Sequence, residues 1–155
     1  MAITKFEDIE GWQLARELAK AVYELTSQPE FARDFGLKDQ IQRAAGSVMH
    51  NIAEGFDSGS NAEFVRFLRY SQRSCTEVQS QLYIASDQNY ITETQFNHMY
   101  ELARQTRAKI GGFIKYLSNY ASTKNQEPRT KCPFHQRLSP PFEYLIADPN
   151  ASMPY

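Results

Sequence analysis

Cysteine is nearly missing from this chain of 155 residues: Cys75 and Cys132 stand in dissimilar settings and are too few for a disulfide framework. Charge of one sign is missing too, since 17 basic residues face 18 acidic ones and no global field draws the protein toward nucleic acid or a membrane surface. Any charged binding surface is therefore local. No charged-then-apolar leader opens the chain, and no apolar run approaches the roughly 18 residues of a spanning helix. The default is a cytoplasmic protein with no membrane partner. A Gly-rich phosphate loop, a nucleophile elbow and a dinucleotide fingerprint are all absent, so neither a cofactor nor a small-molecule substrate is expected. Metal chemistry lacks its donors as well. His50, His98 and His135 lie in unrelated contexts, the Glu-x-x-His pairs of a di-iron bundle do not occur, and Cys132-Pro133-Phe134-His135 is half of a zinc pair without its second half.

Helical periodicity is what the chain has in quantity. Ile9, Trp12, Ala15, Leu18, Ala19, Val22 and Tyr23 follow a helical spacing that ends between Thr26 and Pro29, where proline forbids continuation. After a short aromatic connection from Phe31 to Gly36, a second helix is expected from Leu37 to Gly55, with Gly55 placed as a left-handed cap. The third opens on the capping box Ser60-Asn61-Ala62-Glu63 and runs through Phe64, Phe67, Leu68, Cys75, Val78, Leu82 and Ala85 to about Asn89. Cys75 falls on its apolar face as a small core residue. The fourth opens on Thr92-Glu93-Thr94-Gln95 and continues through Phe96, Met99, Ala103, Ile110, Phe113 and Leu117. Within it, Gly111-Gly112 weakens the helix by roughly 1 kcal/mol per glycine unless close packing uses the missing side chains. Short connections between long amphipathic helices imply an all-α, antiparallel up-down-up-down four-helix bundle over residues 1–121. Six of the seven prolines follow Ser122, so 122–155 reads as a proline-rich C-terminal arm without helical period. Phe134, Leu138, Phe142, Tyr144, Leu145 and Ile146 make this arm more apolar than an inert linker, which leaves open its docking on the bundle or on a neighbouring subunit.

Polar residues are ordered as well. Gln40, Arg43, Ser47, Asn51 and Glu54 fall within about 80° of one another on the second helix, beside the apolar stripe of Leu37, Ile41, Ala44, Ala45, Val48 and Ile52. Tyr70, Ser74, Glu77 and Gln81 repeat the design on the third. In an antiparallel hairpin, Arg43 lies level with Ser74 to Glu77 and Glu54 with Glu63 to Arg66, so opposite charges are expected to meet. Such stripes suit a hydrogen-bonded network at a helix or subunit boundary. A catalytic carboxylate site would need strongly perturbed acids in a pocket that no pattern here identifies, so no catalytic residue is assigned.

Phe6-x-x-Ile9-x-x-Trp12, then Gly36-Leu37-x-x-Gln40-Ile41-x-Arg43-Ala44-Ala45-x-Ser47-x-x-x-Asn51-Ile52-Ala53-Glu54-Gly55, then Glu63-Phe64-x-x-Phe67-Leu68 with Ser74, Glu77 and Leu82, resembles a known family. These are the four-helix-bundle proteins encoded in intervening sequences of bacterial 23S ribosomal RNA genes, which include the accessory variability proteins of diversity-generating retroelements. The likeness spans about residues 5 to 119. It implies a non-enzymatic subunit whose partner is itself, in a ring-like homopentamer; the retroelement members are implicated in binding nucleic acid and a reverse transcriptase. Where that family usually carries Ala-x-Gly-Ser, this chain has Ser71-Gln72-Arg73-Ser74. A large cation replaces a glycine, which either opens the packing there or carries Arg73 to a surface. The nucleic-acid-binding relatives are strongly basic, whereas this chain is nearly neutral, and the proline-rich tail has no counterpart in the pattern.

Two basic clusters are the nucleic-acid candidates. Arg66, Arg69 and Arg73 share one face of the third helix with Tyr70, a combination that holds phosphates and stacks a base, though Glu63 and Glu77 flank it at intrahelical pairing distance. Arg104, Arg107 and Lys115 share a face of the fourth with Tyr100 and Gly111. A ring multiplies such patches into a track, and affinity for phosphate grows with the number of contacts. Two readings follow: an accessory or scaffold protein that binds RNA or a retroelement complex, and a protein–protein adaptor without nucleic acid whose copies gain avidity.

Overall fold

The computed structural model describes residues 3–124; the first three residues of the arm expected at 122–155 continue the last helix instead of breaking it, and the rest of the arm from residue 125 onward, with Cys132 and His135, lies outside the described residues. A 3-10 turn at Phe6–Asp8 leads into five helices: α1 (Glu10–Thr26), α2 (Pro29–Ala32), α3 (Phe35–Phe56), α4 (Asn61–Asp87) and α5 (Glu93–Lys124). The described residues contain no strand and no helix long and apolar enough to cross a membrane.

The connection foreseen between the first two long helices holds a helical turn instead. Pro29 occupies the first position of α2, where its fixed φ suits a helix and its missing N–H is no loss. α3 then starts at Phe35, two residues earlier than the periodicity indicates, because the Asp34 carboxylate accepts from the Leu37 N–H at 3.0 Å and caps it.

Gly55 does not terminate α3. The helix continues to Phe56, Asp57 caps it, and no glycine among the described residues has a positive φ. Gly55 is instead a contact point: a Cβ built there would lie 2.6 Å from Phe64 Cδ2 and 2.8 Å from Phe67 Cβ. The left-handed turn falls at Asn89 (φ 58°), where Tyr90 N–H donates to Ala85 O and Asn89 N–H to Ser86 O, both at 2.9 Å, closing α4 in a Schellman pattern. Ser60 accepts from Glu63 N–H at 3.2 Å, but the Glu63 carboxylate turns to Arg66 rather than back to the cap. At α5 both arms of the capping box form, Gln95 N–H to Thr92 Oγ1 at 3.2 Å and Thr92 N–H to Gln95 Oε1 at 2.8 Å.

α3 packs between α1 and α4, and α5 between α4 and α1. Side-chain bonds give the directions. Ser71 reaches Val48 while Gly55 meets Phe64, so α3 and α4 run antiparallel; Gln72 reaches Arg107 and Gln79 reaches Tyr100, so α4 and α5 do too. Phe64, Leu18, Ile41, Ile52, Leu68, Leu82 and Ile110 form the centre of the core, and Cys75 joins them fully buried. Desolvation pushes the Cys75 thiol up to about 12 against the opposing field of Arg107, which makes it a packing residue rather than a nucleophile. Tyr23, counted above with the apolar stripe of α1, lies at the surface at 55% exposure. The two adjacent glycines of α5 divide: a Cβ at Gly111 would stand 2.9 Å from Gln72 Nε2, whereas Gly112 faces open space.

Candidate functional site

The polar stripes of α3 and α4 meet along one seam. At its centre Asn51 Nδ2 donates to Ser47 O at 2.7 Å and to Ser47 Oγ at 2.9 Å, and Ser74 Oγ donates to Ser47 Oγ at 3.0 Å. Ser71, buried beside them, donates to Val48 O at 2.8 Å. In these bonds short side chains satisfy one another where α3 and α4 touch. The flanks differ from expectation. Arg43, level with Glu77 in this register, pairs with Asp39 at 3.5 Å and its side chain is 80% exposed. Glu54, level with Arg66, is exposed, and Arg66 pairs with Glu63 at 3.6 Å. Each arginine finds a carboxylate within a turn of its own helix, and reaching across the seam would immobilise a longer, solvated side chain for no greater Coulomb gain. Gln40 is exposed as well. Gln81 is 5% exposed; its amide donates to Glu77 Oε1 at 3.4 Å, while its own carbonyl oxygen has no hydrogen-bond partner among the described residues.

Gly46 and Ser47 leave the outer face of α3 low, and an open concavity of about 510 Å³ lies over them. Tyr23 of α1 and Arg43, His50, Asn51 and Glu54 of α3 form its walls. Sequence reasoning missed Tyr23, Gly46 and His50 as wall residues; the adjacent small pair Gly46-Ser47 on a polar face was the available signal.

The α4 basic cluster separates into two parts. Arg66 lies over the Phe67 ring at 5.8 Å and Arg73 over the Tyr70 ring at 5.6 Å, and these two rings meet edge to face at 6.2 Å. Since Phe67 packs against Gly55, this aromatic–guanidinium ladder belongs to the α3 side. Arg73 is thus at the surface, one of the two outcomes foreseen for the replaced glycine. Arg69 is exposed and makes no ion pair among the described residues, and Arg107 and Lys115 share that state. The Gln72 amide donates to Arg107 O at 3.1 Å, which fixes Arg107 within a turn of Arg69 across the α4–α5 seam; in the same register Lys115 stands level with Phe64, about 12 Å farther along α5.

Arg104 is taken. Its guanidinium donates twice to Glu101 at 2.7 Å, and Gln105 adds a bond at 3.0 Å. These bonds, Arg104 first, hold the Glu101 carboxyl down from 4.5 to about 2. A depressed carboxylate contributes to folding above its ordinary value and loses that contribution as pH falls through the folded value, so the Glu101–Arg104 contact is expected to persist at pH 4 and to disappear near pH 2. Carboxyl-carbon NMR titration checks this. Arg104→Gln should return Glu101 toward the ordinary range, and a midpoint near 4.5 in the parent protein would refute the pairing.

The sequence pattern of the family described as 23S rRNA-intervening sequence protein fits residues 7–112. A crystal structure of a protein with unknown function from the S23 ribosomal protein family of Bacteroides thetaiotaomicron shares the fold: its TM-score is 0.63 at 21% identity, over 68% of this chain and 98% of that one. No curated protein matches the chain.

Proposed function

The chain belongs to the 23S rRNA-intervening sequence protein family, and from that premise we propose a non-enzymatic, cytoplasmic, homo-oligomeric accessory protein, built of up-down-up-down four-helix subunits in a ring of five, that binds RNA along its α4–α5 flank. The observation that carries the RNA reading is the convergence of Arg69, Arg107 and Lys115 on one flank without a carboxylate partner among the described residues. Three uncompensated cations per subunit are a weak phosphate site; repeated around a ring they become a track on which a polyanion displaces counterions cooperatively. Arg66 and Arg104 contribute less, since Glu63 and Glu101 already hold them.

The test is binding of a structured RNA across a salt series. The parent protein should bind at about 50 mM salt and lose affinity steeply toward 200 mM. Changing Arg69, Arg107 and Lys115 together to Gln should flatten the log–log slope by about 2 to 3 per engaged subunit and leave the oligomer intact. Arg104→Gln should change it little. An intact ring that binds neither RNA nor DNA at the lowest salt would leave the protein as an adaptor between proteins.

A further inference from the structure

We propose that the RNA held on the α4–α5 flank is unpaired where it nears the α4–α5 turn, with its bases stacked on an aromatic platform of Tyr83, Phe96 and Tyr100 and its phosphates on Arg107 and Arg69. The proposal rests on the RNA reading and adds the form of the strand and the groups that select it. The three rings form one cluster. Tyr83 meets Phe96 at 5.0 Å and Tyr100 at 5.9 Å, both edge to face, and Phe96 and Tyr100 stack at 5.6 Å. Tyr83 is 53% exposed, with Phe96 and Tyr100 part-buried beside it. A half-open ring whose orientation is fixed by two neighbours offers a π-face at little further cost in side-chain entropy.

Register joins these rings to the cations. The Gln79 amide donates to Tyr100 O at 3.5 Å, as the Gln72 amide does to Arg107 O at 3.1 Å, so both ties step by seven residues on each helix. Seven residues are close to two turns and keep a side chain on one face. Tyr83, Thr76 and Arg69 follow that step on α4, and Tyr100 and Arg107 follow it on α5. Rings and cations therefore share one face of the hairpin, with Tyr100 and Arg107 about 10 Å apart along it, a reach of a few nucleotides. The carboxylates give the strand its direction. Glu101, next to Tyr100 in the chain, is already held by Arg104, whereas Asp87 and Glu93 lie exposed a turn beyond Tyr83 and Phe96 and repel phosphates from the turn end. The backbone is thus kept on the Arg107 side while the bases lie over the rings. A duplex hides its base faces and can use the cations alone; an unpaired strand uses both, the combination by which proteins take single strands without reading their sequence.

Three probes test it at about 50 mM salt: an unstructured oligoribonucleotide of about 16 nucleotides, its abasic counterpart with the same phosphates, and a blunt duplex of the same length. The parent protein should bind the base-bearing strand about 10-fold or more tighter than either of the others, and should quench 2-aminopurine placed in that strand. Tyr83→Leu keeps the apolar cover and removes the π-face. It should abolish most of that preference and leave the salt dependence as it was, because stacking releases no counterions. Tyr83→Trp should bind at least as tightly as the parent. Should Tyr83→Leu fail to fold, as judged by circular dichroism, the abasic comparison on the parent decides alone. A parent that binds the abasic strand or the duplex as tightly as the base-bearing strand overturns the platform and keeps the RNA reading, whereas a parent that binds none of the three overturns both. A folded Tyr83→Leu variant that binds every probe as the parent does also overturns the platform. If that variant at the same time changes the mass or the melting of the RNA-free protein, the rings belong to a contact with protein instead.

Discussion

Replacing Gly55 by alanine is expected to lower stability by about 3 kcal/mol, the upper part of the range for overpacking. A methyl group would come within 2.6 Å of Phe64 Cδ2 and 2.8 Å of Phe67 Cβ, and neither neighbour can easily withdraw. Phe64 is 1% exposed and is held edge to face by Phe56 at 6.3 Å and Phe113 at 5.5 Å. The clash must therefore move α3 away from α4, which loosens the serine seam further along the pair. Gly112→Ala is the matched control: with open space around it, that change should stabilise by about 0.5–1 kcal/mol through helix propensity alone. Urea unfolding of both variants measures the difference. Adding Phe64→Leu to Gly55→Ala should recover part of the loss, a non-additivity that marks direct contact. A Gly55→Ala variant as stable as the parent would mean that the two helices do not approach as closely as the structure has them.

Phe31→Ala is expected to cost about 3–5 kcal/mol, although Phe31 lies in a four-residue helix between two long ones. Its ring is fully buried and rests on Tyr90 at 5.6 Å. The Tyr90 hydroxyl in turn donates to Asp34 Oδ2 at 3.4 Å, while Asp34 Oδ1 caps α3. One phenylalanine thus ties the α1–α3 connection to the α4–α5 turn. Tyr90→Phe keeps the ring and removes the weak bond, and should cost no more than about 1 kcal/mol. Were thermal melting to show Phe31→Ala within about 1 kcal/mol of the parent, α2 would be a spacer and not a closure of the core.

Much of this was legible in the sequence wherever the cause is local. The apolar periods of α1, α3, α4 and α5 and the complete Thr92–Gln95 capping box depend on residues three and four apart, and the structure realises them. Gly55 was not legible. A glycine followed by Phe-Asp-Ser-Gly-Ser carries the composition of a helix end, and only the approach of Phe64 on the next helix shows that the missing Cβ is used sideways. The Phe31–Gly36 stretch was too short to display a period, so its helical turn and its buried ring were invisible together. On the seam, the levels of Arg43 and Glu77 followed correctly from the hairpin register. What the register could not decide was the competition between a level partner on α4 and Asp39 one turn back on the same helix. Arg66, Arg69 and Arg73 looked like one cluster for a related reason: helical spacing places them on one face, but the side on which each guanidinium settles depends on the rings of Phe67 and Tyr70 beneath two of them.

The sequence-adjacent pairing of the long helices has a kinetic side. α1 with α3, α3 with α4, and α4 with α5 each join segments linked by a short connection, so their contacts close small loops at little entropic cost. The α3–α4 hairpin, with Gly55 on Phe64 beside its turn, needs nothing from α5 and can form while the ribosome is still making the rest of the chain. Docking α5 against α1, as at Gly11 on Ile110 and Glu10 on Lys109, joins distant parts of the chain and can come only last. Refolding should accordingly be fast for a protein of this length, with changes in α3 and α4 slowing it and changes at the α1–α5 contact chiefly speeding unfolding.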